Sequence, residues 1–284
     1  MTSVAQAITA LTGRLTEAGR DEARLKAELL LAHVLGVGRL AVLTEPGRQL
    51  TDEQQAHLEG LARRLLAGEP LQYVLGEAWF WGRCFKADPR GLIPRPETEE
   101  LVQRVLDDTD LWLRARPAVA DVGVGTGCIA LTLAAERPAA DVLGIDIQAA
   151  ALALAQENEA RLGLAGRVTW RQGDLLEGVD AASLDAVVSN PPYIAGPVIA
   201  TLAVEVRDHE PRSALDGGPD GLDLVRRLAA QAMLALRPGG KLWMEIGDEQ
   251  GDAARRILVS SGFADVLTRR DLAGHDRLVE GCRR

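Results

Sequence analysis

Asn190-Pro191-Pro192-Tyr193 sets an amide side chain beside two residues that have no N–H to give to a sheet. It follows the apolar run Leu184-Asp185-Ala186-Val187-Val188-Ser189, which reads as a buried strand of a parallel sheet. The backbone must leave the sheet at Asn190 and turn the carbonyls of Asn190 and Pro191 away from any neighbouring strand. An amide oxygen and a carbonyl oxygen side by side can accept both hydrogens of one planar NH2 group. An Asn-Pro pair also opens ordinary turns. The carboxyl end of a strand, where open α/β sheets bind their ligands, favours the chemical reading.

The chemistry is alkylation of a poor nucleophile. An amide nitrogen has its lone pair delocalised into the carbonyl, the resonance that keeps peptide bonds planar. Pairing its two N–H groups with the Asn190 side-chain oxygen and the Pro191 carbonyl orients the nitrogen and favours the positive charge that develops there during attack. Once alkylated, the nitrogen is acidic enough to release its proton to water, so no general base is required. Tyr193 would wall one face of the planar group, with its ring beside a cationic methyl donor. An ordinary core aromatic is the other reading of Tyr193.

The donor's site reads from three more strand ends. Asp121-Val122-Gly123-Val124-Gly125-Thr126-Gly127 precedes the helical pattern Ile129 to Ala135, giving strand, glycine loop and helix amino terminus. It departs from the dinucleotide fingerprint, because the third glycine comes one residue early and position 128 is Cys, and no Gly-Lys-Ser/Thr follows for a phosphate loop. Val142-Leu143-Gly144-Ile145-Asp146, with Ile147 next, ends in a carboxylate that can accept hydrogen bonds from two ribose hydroxyls. Val168 to Asp174, with Leu175 next, ends in an Asp that either takes an exocyclic adenine amine or caps a following helix. Taken together with Asn190, these features favour S-adenosylmethionine over a nicotinamide.

The chain resembles the peptide chain release factor N(5)-glutamine methyltransferases, the HemK/PrmC family. The likeness runs through Pro70 to Glu77, Phe80 to Gly82, and Leu92-Ile93-Pro94-Arg95-Pro96-Glu97-Thr98-Glu99. It continues in Glu210-Pro211, Ala214-Leu215, Gly217-Gly218, Asp220 to Leu222, Pro238 to Gly240, Glu245-Ile246-Gly247 and Asp271 to Gly274, which is nearly the whole chain. Ile93 to Glu99 marks this family, whereas the glycine loop and Asn-Pro-Pro-Tyr are shared with methyltransferases acting on adenine. Val124 and Gly91 depart from the commoner residues, and neither carries a side chain assigned to the chemistry. The resemblance implies that Gly123 to Gly127, Asp146 and the Asp174-Leu175 region hold S-adenosyl-L-methionine. It implies that Asn190 to Tyr193 hold the glutamine of a Gly-Gly-Gln tripeptide in a release factor.

The elements that must position these groups fall into two textures. Val4, Ile8, Leu11 and Leu15 share a helical face, and Leu30, Leu31, Val34 and Leu35 form a stripe that stops at Gly36. Thr51 and Gln54 make a capping box ahead of Leu58, Leu61 and Leu65. Residues 1–78 are therefore expected to form a small helical bundle for partner recognition, and residues 79–96 a hairpin or linker. Residues 97–284 are expected to form a doubly wound, Rossmann-like α/β methyltransferase domain, with late strands at Lys241 to Ile246, Ala264 to Thr268 and Arg277 to Gly281. The long connection after Tyr193 reads either as a lid or as an unstructured segment.

Composition narrows the partners. The chain has 284 residues, 47% of them hydrophobic, enough for one large domain and a smaller one. A net charge of −9 argues against nucleic acid as the partner, although adenine-N(6) methylation of DNA or RNA is the main rival because that amine is also planar with two N–H groups. Methylation of a ribosomal-protein glutamine is a further alternative. Cys84, Cys128 and Cys282 lie far apart, and His33, His57, His209 and His275 show no ligand spacing, so neither a disulfide framework nor a metal is expected. Met1 to Leu15 lacks the continuous apolar core of a signal peptide, and no run approaches a membrane span, so a cytoplasmic protein is expected.

Overall fold

The structure, a computed structural model, describes residues 2–284; Met1, with which the expected helical domain opens, lies outside them. The chain forms two compact units, one running up to Glu77 together with Ala203–His209, the other comprising Ala78–Leu202 and Glu210–Arg284.

In the first unit, α1 (Val4–Glu17), α2 (Ala23–Leu35), α3 (Arg39–Thr44), α4 (Asp52–Leu66) and α5 (Leu71–Leu75) follow one another through short turns. Ser3 with Gln6 and Thr51 with Gln54 make reciprocal capping boxes, each satisfying two N–H groups that a helix start leaves unpaired. Gly36 ends α2 in the left-handed conformation that a side chain would disfavour. Val4, Leu11, Leu15, Leu30, Leu31, Leu58, Leu61 and Leu65 meet in one core.

The hairpin β1 (Glu77–Phe80) and β2 (Arg83–Lys86) comes next, and all of it past Glu77 belongs to the second unit. Its turn residues Trp81 and Gly82 both have positive φ, the two-residue turn whose twist matches paired strands. There follow α6 (Pro96–Leu106), α7 (Thr109–Trp112), β3 (Ala118–Val122), α8 (Cys128–Glu136), β4 (Asp141–Asp146), α9 (Ala149–Arg161), β5 (Val168–Gln172) and β6 (Leu184–Ser189). The connection after β6 folds into α10 (Gly196–Ile199), α11 (Val204–Arg207) and a 3-10 turn over Arg212–Ala214. Helix α11 belongs to the helical unit, where Glu205 pairs with the buried Lys26 at 2.6 Å. Val204 packs so closely on Gly68 that a Cβ there would lie 2.8 Å from it. The chain closes with α12 (Asp223–Ala235), β7 (Leu236–Glu245), α13 (Gly251–Ser260), β8 (Ala264–Arg270) and β9 (Asp276–Cys282).

Seven strands form one sheet in the order β5-β4-β3-β6-β7-β9-β8, parallel from β5 to β7, with β9 antiparallel to both β7 and β8. Side chains alternate between its faces: Val119, Ala186 and Val188 join α6 and α8 in one core, while Ala120, Val122, Val187 and Met244 join α12 and α13 in another. Helices on both faces of a mainly parallel sheet give the doubly wound fold expected from the sequence. Strand β7 begins at Leu236, earlier than the expected Lys241, because Pro238-Gly239-Gly240 continues it as an irregularity, with a register shift against β6. Among the described residues no helix is long and apolar enough to cross a membrane.

Candidate active site

Register brings the site together. Val122 pairs with Ile145 on one side and with Ser189 on the other, so Gly123, Asp146 and Asn190 leave the sheet at the same level. Asp146 pairs with Gln172, so Gly173-Asp174 emerges one step further on. Strand order reverses at β3, whose neighbours β4 and β6 lead outward in opposite directions, and a crevice opens at such a point in α/β sheets. The cavity found there is walled by Gly123, Val124, Gly125, Thr126, Asp146, Ile147, Asp174, Leu175, Asn190, Pro191 and Pro192, with Ile93, Arg95 and Thr98 across from the loops.

The glycine loop is held from below. Gly123, Gly125 and Gly127 all have positive φ. Gly127 also lies against α9, where an added Cβ would come within 3.0 Å of the Ala155 Cβ. The N–H groups of Gly123 and Val124 both donate to the Ile145 carbonyl. Asp121 is fully buried beneath the loop, outside the cavity wall, where its Oδ2 accepts the Ala130 N–H at 2.9 Å. Burial pushes its carboxyl up to about 7. Among the described residues its Oδ1 has no hydrogen-bond partner, and the buried Thr126 hydroxyl faces the Cys128 thiol.

Asp146 sits at the rim with both oxygens committed once. Oδ2 accepts the Gly125 N–H at 3.1 Å and Oδ1 the Gln148 N–H at 2.8 Å, leaving lone pairs on each for a ligand hydroxyl. Burial raises its carboxyl from the ordinary value, and the N–H groups of Gln148, Gly125 and Ile147 pull the other way. Among the described residues no helix begins between β5 and β6, so the capping reading of Asp174 falls away. Its Oδ2 instead accepts from Arg227 at 2.6 Å. Leu175 holds φ at +55°, a strained geometry for a side chain, and with the exposed Ile147 it gives the cavity apolar surface.

The Asn190 amide is clamped from one end. Its Nδ2 donates to Thr98 Oγ1 at 3.0 Å, and Thr98 Oγ1 donates to Glu245 Oε2 at 2.7 Å. Thr98 occupies the first turn of α6, which Pro96 starts with its φ already helical. Tyr193 lies one layer behind the wall, half-buried, its hydroxyl donating to Glu245 Oε1 at 3.2 Å. Burial, then the charge of Glu245, raises its phenol well above the ordinary value. The Tyr193 carbonyl accepts from Gln250 Nε2 at 2.8 Å. The sequence marks Thr98 and Glu245 only as parts of family motifs and assigns them no chemistry. A carboxylate ending the apolar run Leu242-Trp243-Met244 was the available signal, since such a group is seldom buried without a task.

Arg95 pairs with the buried Glu210, whose other oxygen accepts the Ile93 N–H at 3.3 Å, tying the segment before α6 to the long connection, between α11 and the 3-10 turn. Cys128 opens α8 buried, its thiol pushed up to about 12 by desolvation. Among the described residues no group of three or more His, Cys, Asp or Glu side chains gathers as a metal site.

Two family models match the chain: the PrmC N-terminal domain over residues 6–76 and the methyltransferase small domain over residues 98–209. The release factor glutamine methyltransferase of Caulobacter vibrioides is 43% identical over 279 residues, covering 98% of this chain and 96% of that protein. That of Geobacter sulfurreducens is 42% identical over 272 residues, covering 95% and 93%. Among solved structures, a methyltransferase from Pyrococcus furiosus superimposes with a TM-score of 0.54 at 17% identity, over 82% of this chain and 99% of the other. The hMettl16 catalytic domain, solved with an RNA hairpin, gives 0.58 at 16% identity, over 84% and 85%. These last two likenesses establish the fold.

Proposed function

The chain belongs to the release factor glutamine methyltransferase family, and from that membership we propose that it methylates the side-chain amide nitrogen of the glutamine in a release factor's Gly-Gly-Gln tripeptide, drawing the methyl from S-adenosyl-L-methionine. The observation that carries the reading is the Asn190 amide. With Nδ2 engaged by Thr98, Oδ1 is the end left to accept a hydrogen in the cavity.

The residues present suit the methyl donor. Asp146 keeps lone pairs for two hydroxyls, Ile147 and Leu175 offer apolar surface for a flat base, and Arg227 holds one Asp174 oxygen so that the other can accept an amine. When bound, S-adenosylmethionine supplies a methyl group on a positively charged sulfur. The protein's part is positioning. Asn190 Oδ1 and the Pro191 carbonyl accept the two N–H groups of the glutamine amide, which orients its nitrogen and stabilises the positive charge gathering there. Orientation of this kind supplies about 7–11 kcal/mol, enough to dominate the rate enhancement without a base. In this reading the helical unit, residues up to Glu77 with Ala203–His209, recognises the protein partner, and the α/β unit, which includes the 79–96 hairpin segment, performs the chemistry in the cytoplasm.

Replacing Asp146 with Ala removes both ribose acceptors. Calorimetry is expected to show S-adenosylmethionine bound roughly tenfold more weakly or worse, the scale of losing a charge-assisted hydrogen bond. Unchanged affinity would overturn the assignment of Asp146.

The substrate is tested by tandem mass spectrometry after incubating the protein with S-adenosylmethionine and, separately, release factors, ribosomes and DNA. One added methyl on the Gly-Gly-Gln glutamine is the expected result. Methyladenine, or a methylated glutamine only in a ribosomal protein, would overturn the substrate, and no methylation anywhere would overturn the activity.

A further inference from the structure

We propose that Glu245 is a positioning residue that sets which end of the Asn190 amide faces the substrate. The inference rests on methyl transfer to an amide at this site, and it concerns hydrogen-bond direction rather than contact with any reacting atom.

The amide of Asn190 has an acceptor end and a donor end of nearly equal size, so shape alone does not choose between two orientations 180° apart. Only one is productive. With Oδ1 toward the substrate it accepts a glutamine N–H; reversed, an NH2 group would meet another NH2 group, and the orienting hydrogen bond would become a repulsion. The choice is made through Thr98, whose hydroxyl has a single hydrogen. A carboxylate at Glu245 can only accept, so Thr98 must spend that hydrogen on Oε2, 2.7 Å away. Its lone pairs then receive Asn190 Nδ2 at 3.0 Å, and Oδ1 is left for the cavity. The second oxygen of Glu245 accepts from the Tyr193 hydroxyl, so one buried carboxylate polarises both polar side chains of the Asn-Pro-Pro-Tyr segment.

Protonation would undo the arrangement. A neutral carboxyl can donate to Thr98, releasing the Thr98 hydrogen toward Asn190 and permitting the reversed amide. The groups facing Glu245 are Thr98 and Glu97 from α6, Tyr193 after β6, Cys128 at the start of α8, and Arg277 of β9, itself paired with Asp271 at 3.2 Å. Burial outweighs the pull of Thr98, Tyr193 and Arg277 and raises the Glu245 carboxyl to about 7. Turnover is therefore expected to fall as pH drops through that region. Measuring at saturating S-adenosylmethionine separates this from protonation of Asp146, which acts on cofactor binding.

The test compares E245Q, T98V and T98S with the wild type, using a release factor as substrate. The amide introduced by E245Q has one acceptor oxygen for two hydroxyls and can donate to Thr98, so it permits the reversed Asn190 orientation while filling the same space. At pH 8, E245Q and T98V are expected to lose kcat by roughly tenfold or more, the scale of a misdirected buried hydrogen bond, with S-adenosylmethionine affinity within about threefold. T98S, which keeps the hydroxyl, is expected to stay near wild type, and E245Q to lack the wild-type fall in kcat below neutral pH. E245Q with wild-type kcat and pH profile would overturn the proposal. So would T98S losing as much as T98V, because packing and not the hydroxyl would then matter. If E245Q does not fold, the two Thr98 variants decide alone. A wild type that methylates no glutamine overturns the parent reading and this one together, whereas an active wild type with an unaffected E245Q overturns this one only.

Discussion

Replacing Asn190 with Ala is expected to remove methyl transfer almost completely while S-adenosylmethionine still binds within a fewfold. The substitution deletes the side-chain oxygen that the proposed mechanism sets against one N–H of the glutamine amide, an acceptor that the Pro191 and Pro192 backbone cannot replace. Removing a single pre-aimed hydrogen-bonding group from a transition state typically lowers kcat by about 10²–10³. Here the nitrogen is a weak nucleophile with no base to assist it, so the loss should reach the upper end of that range. The cofactor's expected contacts come from Asp146, Asp174 and the glycine loop, none of which depends on the Asn190 side chain for its hydrogen bonds. Single-turnover kinetics with calorimetry on the same preparation checks both halves. Preserved turnover would sink the mechanism, and lost cofactor binding would show that Asn190 serves the wrong partner.

Gly221→Ala is expected to have the second-largest effect, from a residue that touches no reacting group. Gly221 holds φ at +76°, and a Cβ there would lie 2.2 Å from the Tyr193 carbonyl oxygen and 2.6 Å from Gln250 Nε2. Backbone cannot yield as a flexible side chain does. The Gln250–Tyr193 hydrogen bond would be displaced, and with it the end of the Asn190 to Tyr193 segment. Strain of this type amounts to about 1–3 kcal/mol, and turnover should fall roughly tenfold or more as the carbonyls lose their aim. Gly196→Ala in the same connection is the control: φ is not in the left-handed region and the nearest atom is 3.5 Å away, so wild-type turnover is expected. Equal losses in the two variants would show a general sensitivity of the connection and remove the specific argument.

The parts of the site that were legible in the sequence are those carried by local pattern. Strand ends announced themselves as apolar runs stopped by Gly, Asp or Asn-Pro-Pro, and β3 to β6 follow those runs closely. Asp146 and Asn190 stood out because each is a polar residue closing such a run. What stayed hidden depends on pairings far apart in the chain. Thr98 and Glu245 are separated by 147 positions, and nothing local in either segment says that they share a hydrogen bond. Asp121, which the sequence groups with the glycine loop as a cofactor-binding candidate, is hard to read for a related reason. An Asp at a strand end before a glycine loop looks like a ligand, yet its carboxylate turns inward to the start of α8. Tyr193, expected as a wall of the pocket, reaches back to Glu245 instead.

Ala203–His209 folds with the helical unit although both flanking stretches belong to the other. The two units are thus interleaved along the chain, and neither corresponds to one uninterrupted piece of gene. A fragment begun at residue 78 would carry Glu205 without Lys26 and Val204 without the surface at Gly68, just ahead in the chain of the Glu210 that holds Arg95 and Ile93. Exchange of recognition modules between relatives by recombination must therefore move two separated segments together, or leave an orphaned carboxylate and an uncovered apolar residue a few positions before Glu210.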